Sequence, residues 1–321
     1  MHMLIVQPQL DKVVTDAEGR AAWRGRLEAA APESSFEYLD SQAALVERIA
    51  TADAVAGYVS PEALARAPNL KWIHSWAAGP DQQLFESFLA RDILLSCCKG
   101  NGAIPLAEQA IMLMLMLQRD AVGWLDDQRG HRWNHRPHGE LNGMTCAIIG
   151  TGHSGADLAL KAKAFHMTTI GMRRSGTDAP NLDRMYRREQ LHEFLAAADF
   201  IVVTAPRTPE TLGMLGAAEF AVMKPSAFYV CFSRGGIADD DALLAALTEG
   251  RIAGAGLDAH GKEPLPPDSP FWDLPNTIIT PHNGATTPQT HQRGLDMLIE
   301  NLKRFRTGEE LFNLVKKGAG Y

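Results

Sequence analysis

Cysteine is scarce in this chain, and the four present, Cys97, Cys98, Cys146 and Cys231, form no CxxC pair and no regular spacing. That pattern excludes a disulfide framework and a cysteine-based zinc site, and it predicts reduced thiols in a cytoplasmic protein. Long apolar runs are also missing. The most apolar stretch, residues 111–117, is too short to cross a bilayer, so no membrane role is expected. The start, Met1-His2-Met3-Leu4-Ile5-Val6, is strand-like and lacks the charged opening and long apolar core of a secretory signal. Positive charge is not in excess: 31 Lys and Arg against 38 Asp and Glu leave a net charge of −7, which opposes nucleic-acid binding through a general basic field. A local cationic pocket is still allowed, and a small anionic ligand needs one. No internal repeat or low-complexity tract breaks the 321 residues, a length that predicts two domains of ordinary size.

What is present alternates. Short apolar runs at 4–6, 36–39, 54–58, 72–74 and 93–96 are separated by amphipathic segments such as 21–30 and 42–50. Such alternation predicts a parallel sheet covered on both faces. A long helix is expected from Ile104 to about Asp120. Its stretch Ile111-Met112-Leu113-Met114-Leu115-Met116-Leu117 is apolar all round and should be buried on every side, in a core or at a subunit contact to which methionine adapts. A second series begins at Gly143, with strands expected at 145–149, 168–171, 200–204, 227–231, 254–257 and 277–280, and helices at 155–165, 191–197 and 239–249. After Pro288, Leu295, Leu298, Ile299, Leu302 and Phe305 fall at helical spacing. That last helix has no sheet of its own and is expected to pack back on the first domain. The predicted class is α/β, with two doubly wound parallel-sheet domains. A Rossmann cofactor domain, 101–288, is inserted into a flavodoxin-like substrate domain formed by 1–100 and 289–321.

Cys146-Ala147-Ile148-Ile149 runs into Gly150-Thr151-Gly152-His153-Ser154-Gly155 and then into a helix. A GxGxxG string alone is weak, but here strand, loop, helix and next strand occur in order. The first glycine permits a tight turn and the second admits a pyrophosphate against the backbone. The third lets the helix pack close to the strand, with its N-terminal amides toward the phosphates. The next strand ends in Met172-Arg173-Arg174-Ser175-Gly176. An NAD-selective loop places an acid there for the ribose 2′-hydroxyl, whereas arginine suits a 2′-phosphate. Arg173, Arg174 and Ser175, with no acid among them, predict NADP(H) as the preferred coenzyme and leave NAD(H) as an admissible second.

The last third carries Arg234, Glu263 and His282, in the contexts Ser233-Arg234-Gly235, Lys262-Glu263-Pro264 and Pro281-His282-Asn283-Gly284. Singly, each has an ordinary explanation: a surface arginine, a loop acid, a turn histidine. Spaced 29 and then 19 positions apart, downstream of a dinucleotide loop, they form a set suited to a 2-keto acid. Arg234 can fork onto the carboxylate and polarise the keto oxygen. His282 can give up a proton during reduction and take it back during oxidation, while Glu263 fixes the other imidazole nitrogen and favours the protonated form.

Other stretches fall in line with these: Ala78-Gly79-Pro80-Asp81, Leu106-Ala107-Glu108, Pro206-Arg207-Thr208-Pro209-Glu210-Thr211, Met223-Lys224-Pro225, Leu257-Asp258 and Glu263-Pro264-Leu265-Pro266. Over nearly its whole length the chain resembles the D-isomer-specific 2-hydroxyacid dehydrogenases, most closely their glyoxylate/hydroxypyruvate reductase branch. The resemblance implies NAD(P)H-dependent reduction of a small 2-keto acid to the D-2-hydroxy acid, in a cleft between the domains of a homodimer joined through the cofactor domain. It implies too that the amides of Ala78 and Gly79 hold the substrate carboxylate and that Asp258 accepts from the nicotinamide carboxamide. Pro206, Thr211, Ser233 and Gly284 would lie along the cofactor.

The chain departs from the family pattern in places. His153 stands where arginine is frequent, Ala259-His260 replaces two larger apolar residues, and Trp76 and Pro80 flank the carboxylate turn in place of smaller or aliphatic residues. His260 reads as a loop residue. The segment His131-Arg132-Trp133-Asn134-His135-Arg136-Pro137-His138 is rich in histidine but holds no cysteine or acid, so no metal site is expected; Trp133 would instead line a pocket mouth near the dimer contact. Two other activities use the same architecture. Formate oxidation needs no acid–base partner for its histidine, so Glu263 speaks against it. A nucleotide-sensing corepressor or scaffold would keep fold and triplet alike, and turnover separates it from an enzyme.

Overall fold

A computed structural model describes residues 1–6, 14, 16–174 and 178–317. The chain folds as two units, residues 1–102 with 286–321, and residues 103–285. In the first, β1 (His2–Val6), β2 (Ser35–Leu39), β3 (Ala54–Ala56), β4 (Trp72–Ser75) and β5 (Leu94–Cys97) lie parallel in the order β2-β1-β3-β4-β5, the flavodoxin-like order. Alternation along β1 feeds both faces: Met3 and Ile5 enter one core layer, Leu4 and Val6 the other. The helix Pro288–Thr307 lays Leu295, Leu298 and Leu302 on the Met3 layer, beside Trp23 and Trp72. Its ends explain its bounds. Thr287 Oγ1 accepts from the Thr290 N–H at 3.1 Å, and Gly308 closes the helix in the left-handed region at φ +74°.

A buried polar chain crosses this first unit. Trp72 Nε1 donates to Ser96 Oγ at 2.9 Å, Ser96 Oγ lies 2.9 Å from His74 Nδ1, and Cys98 Sγ lies 3.4 Å from His74 Nε2. Ser96 Oγ thus links the indole to one imidazole nitrogen, and the Cys98 thiol meets the other. All four residues are buried. Burial pushes His74 down to about 3 and the Cys98 thiol up, so both are neutral.

The second unit holds β6 (Thr145–Ile149), β7 (Thr168–Met172), β8 (Arg184–Tyr186), β9 (Phe200–Val203), β10 (Phe228–Cys231), β11 (Gly254–Leu257) and β12 (Thr277–Ile279). They pair in parallel in the order β12-β11-β10-β9-β6-β7-β8. Counting β6 as first, this is the Rossmann order with one added edge strand, and the winding reverses between β6 and β9. Cys146 and Ile148 face a layer with Leu113 and Leu158, while Ala147 and Ile149 face Ile170 and Val203.

Among the described residues, the elements not anticipated include β8 and the helices Pro61–Ala65, Glu86–Leu89, Ala121–Arg129 and Ala217–Val222. β8 is a three-residue edge strand in which only Tyr186 is buried, too short for alternation to show. The helix Ala103–Gln118 is covered unevenly within the single chain. Ala107, Ala110, Leu113 and Met114 are buried, but Ile104 and Met112 are 45% and 41% exposed. An unbroken apolar run specifies no covered side, and only one stripe of this helix meets the sheet. Among the described residues no helix is long and apolar enough to cross a membrane.

Candidate active site

β11 and β12 are neighbours, with Leu257 opposite Ile279, so the segments that follow them leave the same edge of the sheet. There Glu263 and His282 meet: His282 Nδ1 lies 2.9 Å from Oε1 and 2.8 Å from Oε2. Both side chains are partly open, 37% exposed for His282 and 36% for Glu263. Because a carboxylate only accepts, Nδ1 carries the hydrogen, and Nε2 is the nitrogen available for proton exchange. Burial raises the Glu263 carboxyl, but the His260 N–H at 2.9 Å and the His282 imidazole outweigh it and hold it below the usual range.

His282 sits in a strained turn, at φ +51°. Asp258, fully buried, organises that turn. Its Oδ1 accepts from Thr280 Oγ1 at 2.6 Å and from the Asn283 N–H at 3.2 Å, and its Oδ2 accepts from the Gly284 N–H at 3.0 Å. Gln109, on the helix Ala103–Gln118, donates to Thr280 Oγ1 at 3.0 Å. Sequence reasoning missed Gln109, which lies in no motif, and missed this use of Asp258.

β10 brings the arginine to the same edge, since Cys231 lies opposite Leu257. A Cβ on Gly235 would stand 1.9 Å from the carbonyl carbon of His260 and 2.3 Å from the Gly261 nitrogen, so only glycine lets the two backbones touch. That contact seats the Arg234 loop against the segment leading to Glu263. Arg234, half-buried, donates through its guanidinium to the Ser233 carbonyl at 2.8 Å.

The glycine loop follows β6, at the winding reversal. Gly150 has φ +96°, and a Cβ there would meet the Ala205 nitrogen at 2.6 Å. One on Gly155 would meet the Gly150 carbonyl oxygen at 2.2 Å, whereas one on Gly152 would meet nothing within 4 Å. Packing therefore demands the first and third glycines, and the second opens onto free space. The helix His153–Ala164 starts there with Gly152 as its N-cap and no side chain capping it. Thr151 Oγ1 is buried without a partner among the described residues. An uncapped helix N-terminus beside an open glycine and an unpaired hydroxyl suits a dinucleotide pyrophosphate.

Arg173, after β7, donates to the Asp178 carbonyl, and Arg174 is exposed; Ser175 lies outside the described residues. Thr211 Oγ1 donates to the Pro206 carbonyl at 2.8 Å and accepts from the Thr208 N–H at 2.7 Å, folding 206–211 into a compact turn beyond β9. Ala78 and Gly79 belong to the first unit, in the turn after β4. Among the described residues no group of three or more His, Cys, Asp or Glu could hold a metal ion. The histidine-rich segment is tied instead to Asp127, which accepts from Arg132 Nε at 3.0 Å, Asn134 Nδ2 at 2.9 Å and Arg136, while Trp133 is 99% exposed.

Residues 111–284 match the NAD binding domain of the D-isomer specific 2-hydroxyacid dehydrogenases. The chain is 31% identical over 287 residues to the glyoxylate reductase of Korarchaeum cryptofilum, covering 86% of each. It is 31% identical over 299 residues to the D-3-phosphoglycerate dehydrogenase of Mycobacterium tuberculosis, covering 92% of this chain and 54% of that one, and so spans about half that relative's length. Among solved structures it matches the NADPH-dependent glyoxylate/hydroxypyruvate reductase of Sinorhizobium meliloti, in complex with NADP and sulfate, with a TM-score of 0.85 at 27% identity, over 100% of this chain and 99% of that one. The chain belongs to the D-isomer specific 2-hydroxyacid dehydrogenase family.

Proposed function

We propose that this protein reduces a small 2-keto acid of the glyoxylate or hydroxypyruvate type to the D-2-hydroxy acid, with NADPH preferred to NADH. The Glu263–His282 pair, at the sheet edge from which the Arg234 loop also leaves, carries the reading. Arg234 binds the substrate carboxylate by its fork and polarises the keto oxygen, and the amides of Ala78 and Gly79 add donors to that carboxylate. His282 Nε2 gives its proton to the keto oxygen. Glu263 keeps the other hydrogen on Nδ1 and offsets the charge that appears on the ring when the reaction runs backward. The bound dihydronicotinamide supplies the hydride.

Gly150, Gly152, His153, Ser154 and Gly155 are assigned to the pyrophosphate, and Arg173, Arg174 and Ser175 to the 2′-phosphate. Pro206, Thr211, Ser233 and Gly284 are assigned to the length of the coenzyme. Asp258, which accepts from three donors of its own turn, is assigned to the nicotinamide amide. The acid beside His282 disfavours formate oxidation.

Steady-state rates with glyoxylate, hydroxypyruvate, pyruvate and a bulkier keto acid, each with NADPH and NADH, test the reading. Turnover of the first two with NADPH is expected; coenzyme binding with no turnover of any acid puts a nucleotide sensor in its place. In the same assay Arg173→Ala should raise the NADPH KM by about 10-fold or more, the loss of one charge-assisted hydrogen bond, and leave the NADH KM nearly unchanged. Equal effects on both coenzymes would sink the 2′-phosphate assignment.

The second unit is also assigned a homodimer contact. Met112, Val122, Trp124 and Leu125 are exposed on the helices Ala103–Gln118 and Ala121–Arg129, and Trp133 on the segment that follows, apolar side chains that a second copy could cover. Light scattering should give twice the 35.0 kDa chain mass, and a single-chain mass removes the dimer.

A further inference from the structure

We propose that the His260 side chain is a positioning residue for proton transfer, holding the turn that carries His282; the inference rests on His282 being the proton donor. Sequence alone gives His260 no role beyond a loop, and it stands where the resembling family commonly has a larger apolar residue.

His260 bonds Glu263 directly and reaches the turn of His282 through Thr280. Its main-chain N–H donates to Glu263 Oε1 at 2.9 Å, the same oxygen that lies 2.9 Å from His282 Nδ1. Its ring Nε2 lies 3.3 Å from the Thr280 carbonyl oxygen. A carbonyl only accepts, so that ring nitrogen carries the hydrogen. The same carbonyl accepts the His282 N–H at 3.1 Å, closing the tight turn across Pro281.

Thr280 is thereby held at both ends, its hydroxyl by Asp258 and Gln109 and its carbonyl by His260. Pro281 has no N–H to add a further tie. His282 occupies a left-handed conformation that is costly for a non-glycine residue and persists only where surrounding contacts fix it. The imidazole can supply such a fix because its own backbone is closely packed: Gly235 lies against the His260–Gly261 peptide with no space for a side chain. An apolar ring in its place would fill the volume and leave the Thr280 carbonyl without this donor.

His260→Phe, His260→Gln and His282→Ala, assayed with NADPH and whichever keto acid of the panel is turned over fastest, separate the possibilities. Gln carries an amide N–H near the position of imidazole Nε2, so it keeps the contact that Phe removes. The Phe variant should lose about 10-fold in kcat, as expected when a reacting group is displaced by a fraction of an ångström, with the keto-acid KM and NADPH affinity within about threefold. The Gln variant should recover kcat to within about threefold of the parent. His260→Leu gives the same contrast if the larger ring does not fit. Wild-type kcat in both apolar variants overturns the inference, as does a Gln variant as slow as Phe. If His282→Ala itself keeps its turnover, the proton-donor assignment fails first, and that result is distinct from either of these.

Discussion

His282→Ala should lower kcat for 2-keto acid reduction by about 10²–10⁴-fold, the range that a positioned general acid contributes, while NADPH binds within about twofold of the parent. The two readouts separate because the ring belongs to one contact and not to the core. It is partly exposed, and its side-chain partner among the described residues is Glu263. The turn beneath it is held through Thr280, Asn283 and Gly284, none of which the substitution touches. Glu263→Gln should be milder, about 10- to 100-fold, because an amide oxygen still accepts from Nδ1 but cannot offset ring charge. Pre-steady-state reduction with coenzyme titrated by fluorescence gives both numbers. If His282→Ala turns over within 10-fold of the parent, another group delivers the proton.

The parts of the molecule that one segment encodes were legible in the sequence, and the parts made by distant segments were not. The alternation at Cys146-Ala147-Ile148-Ile149, followed by a glycine at a tight turn, is local chemistry, and a parallel doubly wound sheet follows from its repetition along the chain. β8 escaped because three residues at a sheet edge need one buried side chain, which sets no period. For the all-apolar helix Ala103–Gln118, composition does not say which side the sheet covers and which is left open in the single chain. In the site, Arg234, Glu263 and His282 stood out because each is of a chemically distinctive type beside Gly or Pro. Gln109 could not stand out: its partner Thr280 lies 171 positions away, and nothing in either neighbourhood refers to the other. The same holds for His260, whose use depends on where the turn beyond β12 places one carbonyl.

The buried imidazole of the first unit should make the protein lose stability in mild acid. His74 is pushed by burial from an ordinary 6.5 down to about 3, with Ser96 on one nitrogen and Cys98 on the other. Below pH 6.5 the unfolded chain takes up a proton at this residue that the folded chain refuses until about pH 3, so folding stability is complete above 6.5 and falls as pH drops toward 3. One such proton gives a slope of about 1.4 kcal/mol per pH unit, and the full interval is worth about 4–5 kcal/mol. The carboxylates held below their usual range, Asp53, Asp183 and Glu219 among them, pull in the same direction, but only as pH approaches their own ordinary values near 4. The interval from 6.5 to 5 therefore favours histidine, where His291, also lowered by burial, adds a smaller part. Urea unfolding of the parent and of His74→Gln at pH 7, 6 and 5 isolates the residue. The variant should be about 1–3 kcal/mol less stable at pH 7, because an amide satisfies Ser96 and Cys98 less well, yet it should lose about 2 kcal/mol less than the parent on going to pH 5. Parallel pH curves for the two proteins would mean that the folded unit takes up this proton without opening.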